Sequence, residues 1–321
     1  MLTVLIFTGG VFRSWWKAFT HTYIVVEFTT IESVKLEMSR VSCHTMRIGG
    51  VLVSIQTVSD ASGSHNGMPQ EEYVFPRPGR IDGDLRKWGL GQVILGYSLS
   101  LIASIITLSL ILEISSFEDF DDLPMWGVSL VGLSQQLVLI ATVVVSAIFF
   151  GENLKKDFLF QVRPSDTIKG ISVGIAAQII VVPMVTYPFI WLFDIDADRI
   201  SEPARELSDK ATSPVGIIAI VLTVGILAPI AEELFFRGLL YGAIRKRGDF
   251  AENQKATIWV SVIVSSAIFS AIHFQLLLFP ALFVVGIIFA WLYERYQRLA
   301  PAIWAHVGFN ATTLISLIVI D

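Results

Sequence analysis

No charged residue occurs between Val215 and Ile230, and that run leads straight into Ala231-Glu-Glu-Leu-Phe-Phe-Arg-Gly238. A charge near a bilayer centre costs about 2.5–3.5 kcal/mol on insertion scales, so ionisable residues inside an apolar span are rare and functional by default. Helical spacing separates the three. Glu233 and Arg237 are i,i+4, lie about 40° apart around an α-helix axis and can pair. Glu232 points about 100° away from Glu233 and is left for other work.

Similar apolar runs recur along the chain. Its 321 residues are 54% hydrophobic and 16% charged, where a soluble domain carries about 25% charged residues. The reading is an all-α, polytopic transmembrane bundle of about seven spans. These are expected at 91–112, 124–150, 168–193 (with Pro183 and Pro188 kinking it), 214–244, 257–275, 277–293 and 300–320. Pro229 is expected to break the fourth span just before the glutamates. Ser201-Glu-Pro-Ala-Arg-Glu-Leu, between spans three and four, reads as a short surface helix capped by Ser201 with Pro203 in its first turn.

The N-terminal third is of another kind. Residues 1–67 mix short apolar runs with Ser/Thr-rich stretches and read as an N-terminal extension of low order. The composition changes at Met68, which suggests the natural start there. Residues 68–90 form a polar arm with Arg77, Arg80, Arg86 and Lys87. Lys and Arg cluster in that arm and in the loops after spans two, four and six. By the positive-inside rule the N-terminus is cytoplasmic. The net charge of −5, with no basic block, points away from nucleic acid. The single Cys43 excludes disulfide frameworks and multi-cysteine metal motifs.

Away from the span ends, the ionisable residues of the spans form one small set: Glu232, Glu233, Arg237, His273 and His306. Phe269 and His273 are i,i+4 on span five, and His306 and Asn310 are i,i+4 on span seven, so each pair shares a helix face. Three polar stripes can converge on one water-filled pocket. Taken singly, each piece has a plainer meaning. Glu233–Arg237 can be a structural ion pair, and a membrane histidine can bond a neighbouring backbone. Gly238-Leu-Leu-Tyr-Gly242 is a small-xxx-small pattern for helix packing, and the sequon at Asn310 lies mid-span. The coincidence of the three stripes carries the weight.

Glu232-Glu-Leu-Phe-Phe-Arg237, Phe269-Ser-Ala-Ile-His273 and His306-Val-Gly-Phe-Asn310 match E-E-x-x-x-R, F-x-x-x-H and H-x-x-x-N in order. Over about residues 90–320 the chain resembles the CPBP family of intramembrane metalloproteases, which includes type II CAAX prenyl endopeptidases and Abi proteins. The zincin motif H-E-x-x-H is absent. The resemblance implies a membrane-embedded endopeptidase in which Glu232 activates water and His273 helps hold it. It further implies that Glu233 with Arg237 is an orienting pair, and that His306 and Asn310 stabilise the oxyanion. The substrate would be a protein or peptide, prenylated or not, met in a lipid bilayer such as a bacterial plasma membrane. A catalytically silent scaffold, immunity or regulatory protein is the alternative. A proton-coupled transporter would need pseudo-symmetric halves, which the sequence lacks.

Zinc is the open cofactor question. Two histidines and two glutamates could ligate it, but with Glu233 committed to Arg237 only Glu232, His273 and His306 remain. Glutamate-activated water requires no metal, and the expectation is no tightly bound zinc. One point of depth stands out. At 1.5 Å per residue His273 would lie about 24 Å into its span, and His306 only about 9 Å into its own.

Overall fold

The computed structural model describes residues 44–48, 51–55, 88–194, 198–246 and 254–317. The chain divides into a unit of residues 8–75 and a second unit comprising 1–7 and 76–321. Within the first, His44–Ile48 (β1) and Val51–Ile55 (β2) pair antiparallel, with Ile48 opposite Val51. That register leaves Gly49-Gly50 as the connection. A Gly-Gly pair between apolar runs is a two-residue hairpin signal that the expectation of low order passed over. The other expectations for residues 1–67, the start at Met68 and most of the arm lie outside the described residues.

The second unit is helical throughout its described residues. Its helices are α1 (Leu90–Ile114), α2 (Met125–Phe150), the short α3 (Leu154–Phe158), α4 (Pro164–Phe193) and α5 (Asp198–Asp209). They continue as α6 (Pro214–Lys246), α7 (Gln254–Ala271), α8 (Phe279–Tyr296) and α9 (Ala300–Ile315). Among the described residues six helices, α1, α2, α4, α6, α7 and α8, are long and apolar enough to cross a membrane. The seventh, α9, has 16 residues in its α-helical part. The chain is an integral membrane protein. Only 17% of the apolar window of α1 is buried, against 39% for α6, so α6 is central and α1 peripheral. Side chains such as Ile94, Ile102 and Trp191 are left exposed around the outside. This is the surface that hydrocarbon covers.

Pro229 does not break α6. The helix passes through it, with π-helical turns at Val221–Leu227 and Glu233–Tyr241 on either side of the α-helical turn Ala228–Glu232. Proline lacks a donor and crowds the preceding turn; a wider turn just upstream accommodates both defects. The same device recurs in α4, where a π-helical turn at Ala177–Val181 precedes Pro183. The surface helix α5 starts at Asp198, earlier than expected, so Pro203 lies inside it. Span five also ends early: α7 stops at Ala271, and His273 stands on the following turn, where Phe274 has φ 53°.

Glycines set the closest helix contact. On α4, a Cβ at Gly174 would stand 1.9 Å from the Ala305 carbonyl oxygen of α9, and one at Gly170 would stand 2.7 Å from that of Pro301. Gly308 of α9 faces Ile171 in the same way. Small residues let helix backbones approach, and this approach seats α9, with its histidine, in the bundle. The Gly238–Gly242 pair, by contrast, receives aromatic rings. Phe158 lies against Gly238 and Trp88 against Gly242.

The bundle has one firmly closed end. There Asp157 accepts the Trp88 indole N–H at 3.1 Å and the backbone N–H groups of Glu152 and Asn153 at 2.7 Å each. Arg298 holds the buried Asp166 through two bonds, at 2.7 and 3.0 Å. Arg245 pairs with Glu294 at 3.1 Å.

Candidate active site

Glu233 and Arg237 face inward from the second π-helical segment of α6, and both are fully buried. Arg237 Nη1 donates to Glu233 Oε1 at 2.8 Å, and Nη2 donates to the Gly286 carbonyl of α8 at 3.2 Å. The guanidinium lies over the Phe269 ring, 4.2 Å from its centroid, with Phe289 at 5.4 Å. A countercharge, a carbonyl and two aromatic faces thus stand in for water around an ion that hydrocarbon would reject.

His306, in the second turn of α9, joins this group. Its Nδ1 is 2.9 Å from Glu233 Oε1, and its Nε2 is 4.0 Å from Glu232 Oε2. One oxygen of Glu233 therefore serves both Arg237 and His306. Glu232 is placed differently. It lines a cavity of about 380 Å³, whereas Glu233 and Arg237 lie behind the wall. No protein donor reaches its Oε2, nor that of Glu233. The i,i+4 and i,i+1 geometry read from the sequence thus sends the two carboxylates to different surroundings.

His273, His306 and Asn310 line the same cavity as Glu232. The Nδ1 of His273 is 2.7 Å from the Phe269 carbonyl oxygen. That partner only accepts, so Nδ1 carries the proton and Nε2 keeps its lone pair. Asn310 donates from Nδ2 to the Val224 carbonyl at 2.8 Å, in the first π-helical turn of α6. The difference in expected depth between the histidines is bridged by one side chain. The Phe269 ring lies 4.8 Å from that of His273 and 5.8 Å from that of His306.

Three wall residues escaped the sequence reading. Gln135 and Gln136 of α2 and Gln178 of α4 line the cavity, and Gln136 Nε2 donates to the Thr223 carbonyl at 3.1 Å. Adjacent glutamines inside a charge-free span were the available signal. Phe289, beside Arg237 and 5.0 Å from the His306 ring, carried none.

The metal expectation can be tested on the donors. Catalytic zinc takes three protein ligands at about 2.0–2.2 Å. Among the described residues no three His, Cys, Asp or Glu side chains gather in that way. The Nδ1 atoms of both histidines are already bonded, and Glu232 approaches His306 only to 4.0 Å. The donor set as arranged does not fit a catalytic zinc.

Residues 214–312, which contain all three motifs, match the family model described as type II CAAX prenyl endopeptidase Rce1-like. A Bacillus subtilis (strain 168) protein named "Putative membrane peptidase YdiL" is 32% identical over 98 residues, 30% of this chain and 36% of that protein. An Escherichia coli protein named "Uncharacterized 24.3 kDa protein" is 35% identical over 101 residues, 30% of this chain and 43% of its own length. The chain thus matches less than half the length of these curated relatives. No solved structure matches.

Proposed function

From the premise that residues 214–312 are an Rce1-like segment of the CPBP family, we propose that the chain is a membrane-embedded endopeptidase. Its nucleophile is a water activated by Glu232. The observation that carries this reading is the division of the two carboxylates. Glu232 lines the cavity, while Glu233 is held behind it by Arg237 and His306. A carboxylate without a protein donor on its outer oxygen is suited to accept a proton; one tied to an arginine is not.

In this mechanism the water gives one proton to Glu232 and its oxygen bonds to the scissile carbonyl carbon. The His273 Nε2 lone pair accepts the water's second O–H and orients the attack. Charge then develops on the former carbonyl oxygen. His306, gripped at Nδ1 by Glu233, presents Nε2 to it, and Asn310 offers its second amide N–H. Glu232 returns its proton to the leaving amine as the C–N bond breaks. Glu233 and Arg237 act through His306, as positioning residues.

The test compares membranes holding wild type and Glu232→Gln by quantitative proteomics, followed by cleavage of the recovered sequence with purified protein. A new terminus made only by wild type supports the reading. Identical termini in both membranes would sink it.

A further inference from the structure

The cavity is one-ended. Its wall takes Phe120 and Asp121 from the α1–α2 connector, one face of α5, Gln275 from the α7–α8 turn and Leu317 beyond α9. All of these lie at one end of the bundle. No described residue of the connectors at the other end contributes. That other end is the one closed by Arg298–Asp166, Arg245–Glu294 and Trp88–Asp157.

The two ends also differ in charge. Connectors 151–163, 245–255 and 294–299, at the closed end, hold nine Lys and Arg residues. Connectors 115–124, 194–213 and 272–278, at the open end, hold three, against ten Asp and Glu. The positive-inside rule puts the closed end in the cytoplasm.

We infer that the cavity opens on the non-cytoplasmic face, and that its substrate is a polypeptide segment exposed on that face and rich in basic residues. This rests on the peptidase reading. A protein whose C-terminal motif is presented from the cytosol would meet the closed end. The helix α5 lies along the mouth. Ile200, Pro203, Ala204 and Leu207, spaced i, i+3, i+4 and i+7, form its cavity-side stripe, and Glu202, Arg205 and Asp209 are exposed. At its C-terminal end Lys210 donates to the carbonyls of Asp121 and Leu123, tying α5 to the first connector. The substrate passes between that helix and the bundle. The acidic connectors draw cationic segments toward it, as charged clefts concentrate oppositely charged ligands.

The experiment uses full-length protein with Cys43→Ser and one new cysteine at a time: Glu202→Cys or Leu207→Cys at the mouth, and Lys155→Cys at the closed end. A membrane-impermeant maleimide on intact cells should label both mouth sites, and should label position 155 only after permeabilisation. The reverse pattern overturns the assignment of faces. Two quenched-fluorescent peptides, one lysine-rich and one glutamate-rich, are then added to intact spheroplasts holding wild type or Glu232→Gln. Wild type should cut the lysine-rich peptide about tenfold faster, and maleimide on Leu207→Cys should block it. Cleavage only after permeabilisation, or equal rates for the two peptides, refutes the proposal. If wild type cuts neither peptide on either side, the peptidase reading fails for these probes, while the labelling still decides which face the mouth takes.

Discussion

His306 Nδ1 lies 2.9 Å from Glu233 Oε1, the same oxygen that accepts from Arg237 at 2.8 Å. One buried carboxylate oxygen thus joins α6 to α9 while neutralising a guanidinium. Removing the carboxylate leaves Arg237 as an uncompensated buried cation. Glu233→Ala should therefore cost about 3–5 kcal/mol of stability, as breaking buried ion pairs does. Thermal melts in detergent read the loss, and Arg237→Leu combined with Glu233→Leu should recover much of it.

Glu232→Gln should behave in the opposite sense. The side chain lines the cavity and its outer oxygen takes no protein hydrogen bond, so the swap removes little from the fold. It removes the proton acceptor. Cleavage should fall roughly 10²–10⁴-fold, with the melting temperature close to wild type. Single-turnover cleavage alongside a melt separates the two effects.

Gly174 leaves no room for a side chain against Ala305. Gly174→Val should push α9 away from α4, carry His306 and Asn310 with it, and lower both the yield of folded protein and activity. Gly91→Ala is the contrast, because nothing lies within 4 Å of the added carbon. It should be neutral or stabilising by up to about 1 kcal/mol, since alanine is the better helix former. Size-exclusion profiles of the two variants show the difference directly.

Trp88 is buried against Phe158 and donates to Asp157. Trp88→Ala deletes the ring and takes one donor from a buried carboxylate. A loss of about 3–5 kcal/mol is expected, typical of buried tryptophan truncation. Trp88→Phe, which keeps most of the apolar volume, should recover the larger part. Denaturant titration measures both.

Charge made much of the site legible. Glu232, Glu233, Arg237, His273 and His306 stand out because an ionisable residue in an apolar run has no bland explanation as cheap as solvation. Gln135, Gln136 and Gln178 were passed over because the search was for charge, and a carboxamide is tolerated in many spans. Gly170 and Gly174 look like any glycines in an apolar run. Gly238 and Gly242, spaced the same way, meet the rings of Phe158 and Trp88, so spacing alone does not say which small-residue pair receives a helix. The π-helical turns were invisible for a related reason. Apolar residues on every side of α6 give the same pattern whether a turn holds four residues or five.

Those turns bear on which mutations this chain can absorb. A π-helical turn is one residue wider than its α-helical equivalent, so α6 carries length in Val221–Leu227 that a regular helix would not need. Deleting one codon there is the simplest change that could restore a regular helix. It would also rotate all that follows by about 100°. Glu232 would leave the cavity, and a carboxylate meant for Arg237 would swing toward lipid. Substitutions along α6 can be graded, mild or severe, but a single in-frame deletion upstream of the glutamates should be as damaging as losing the site itself.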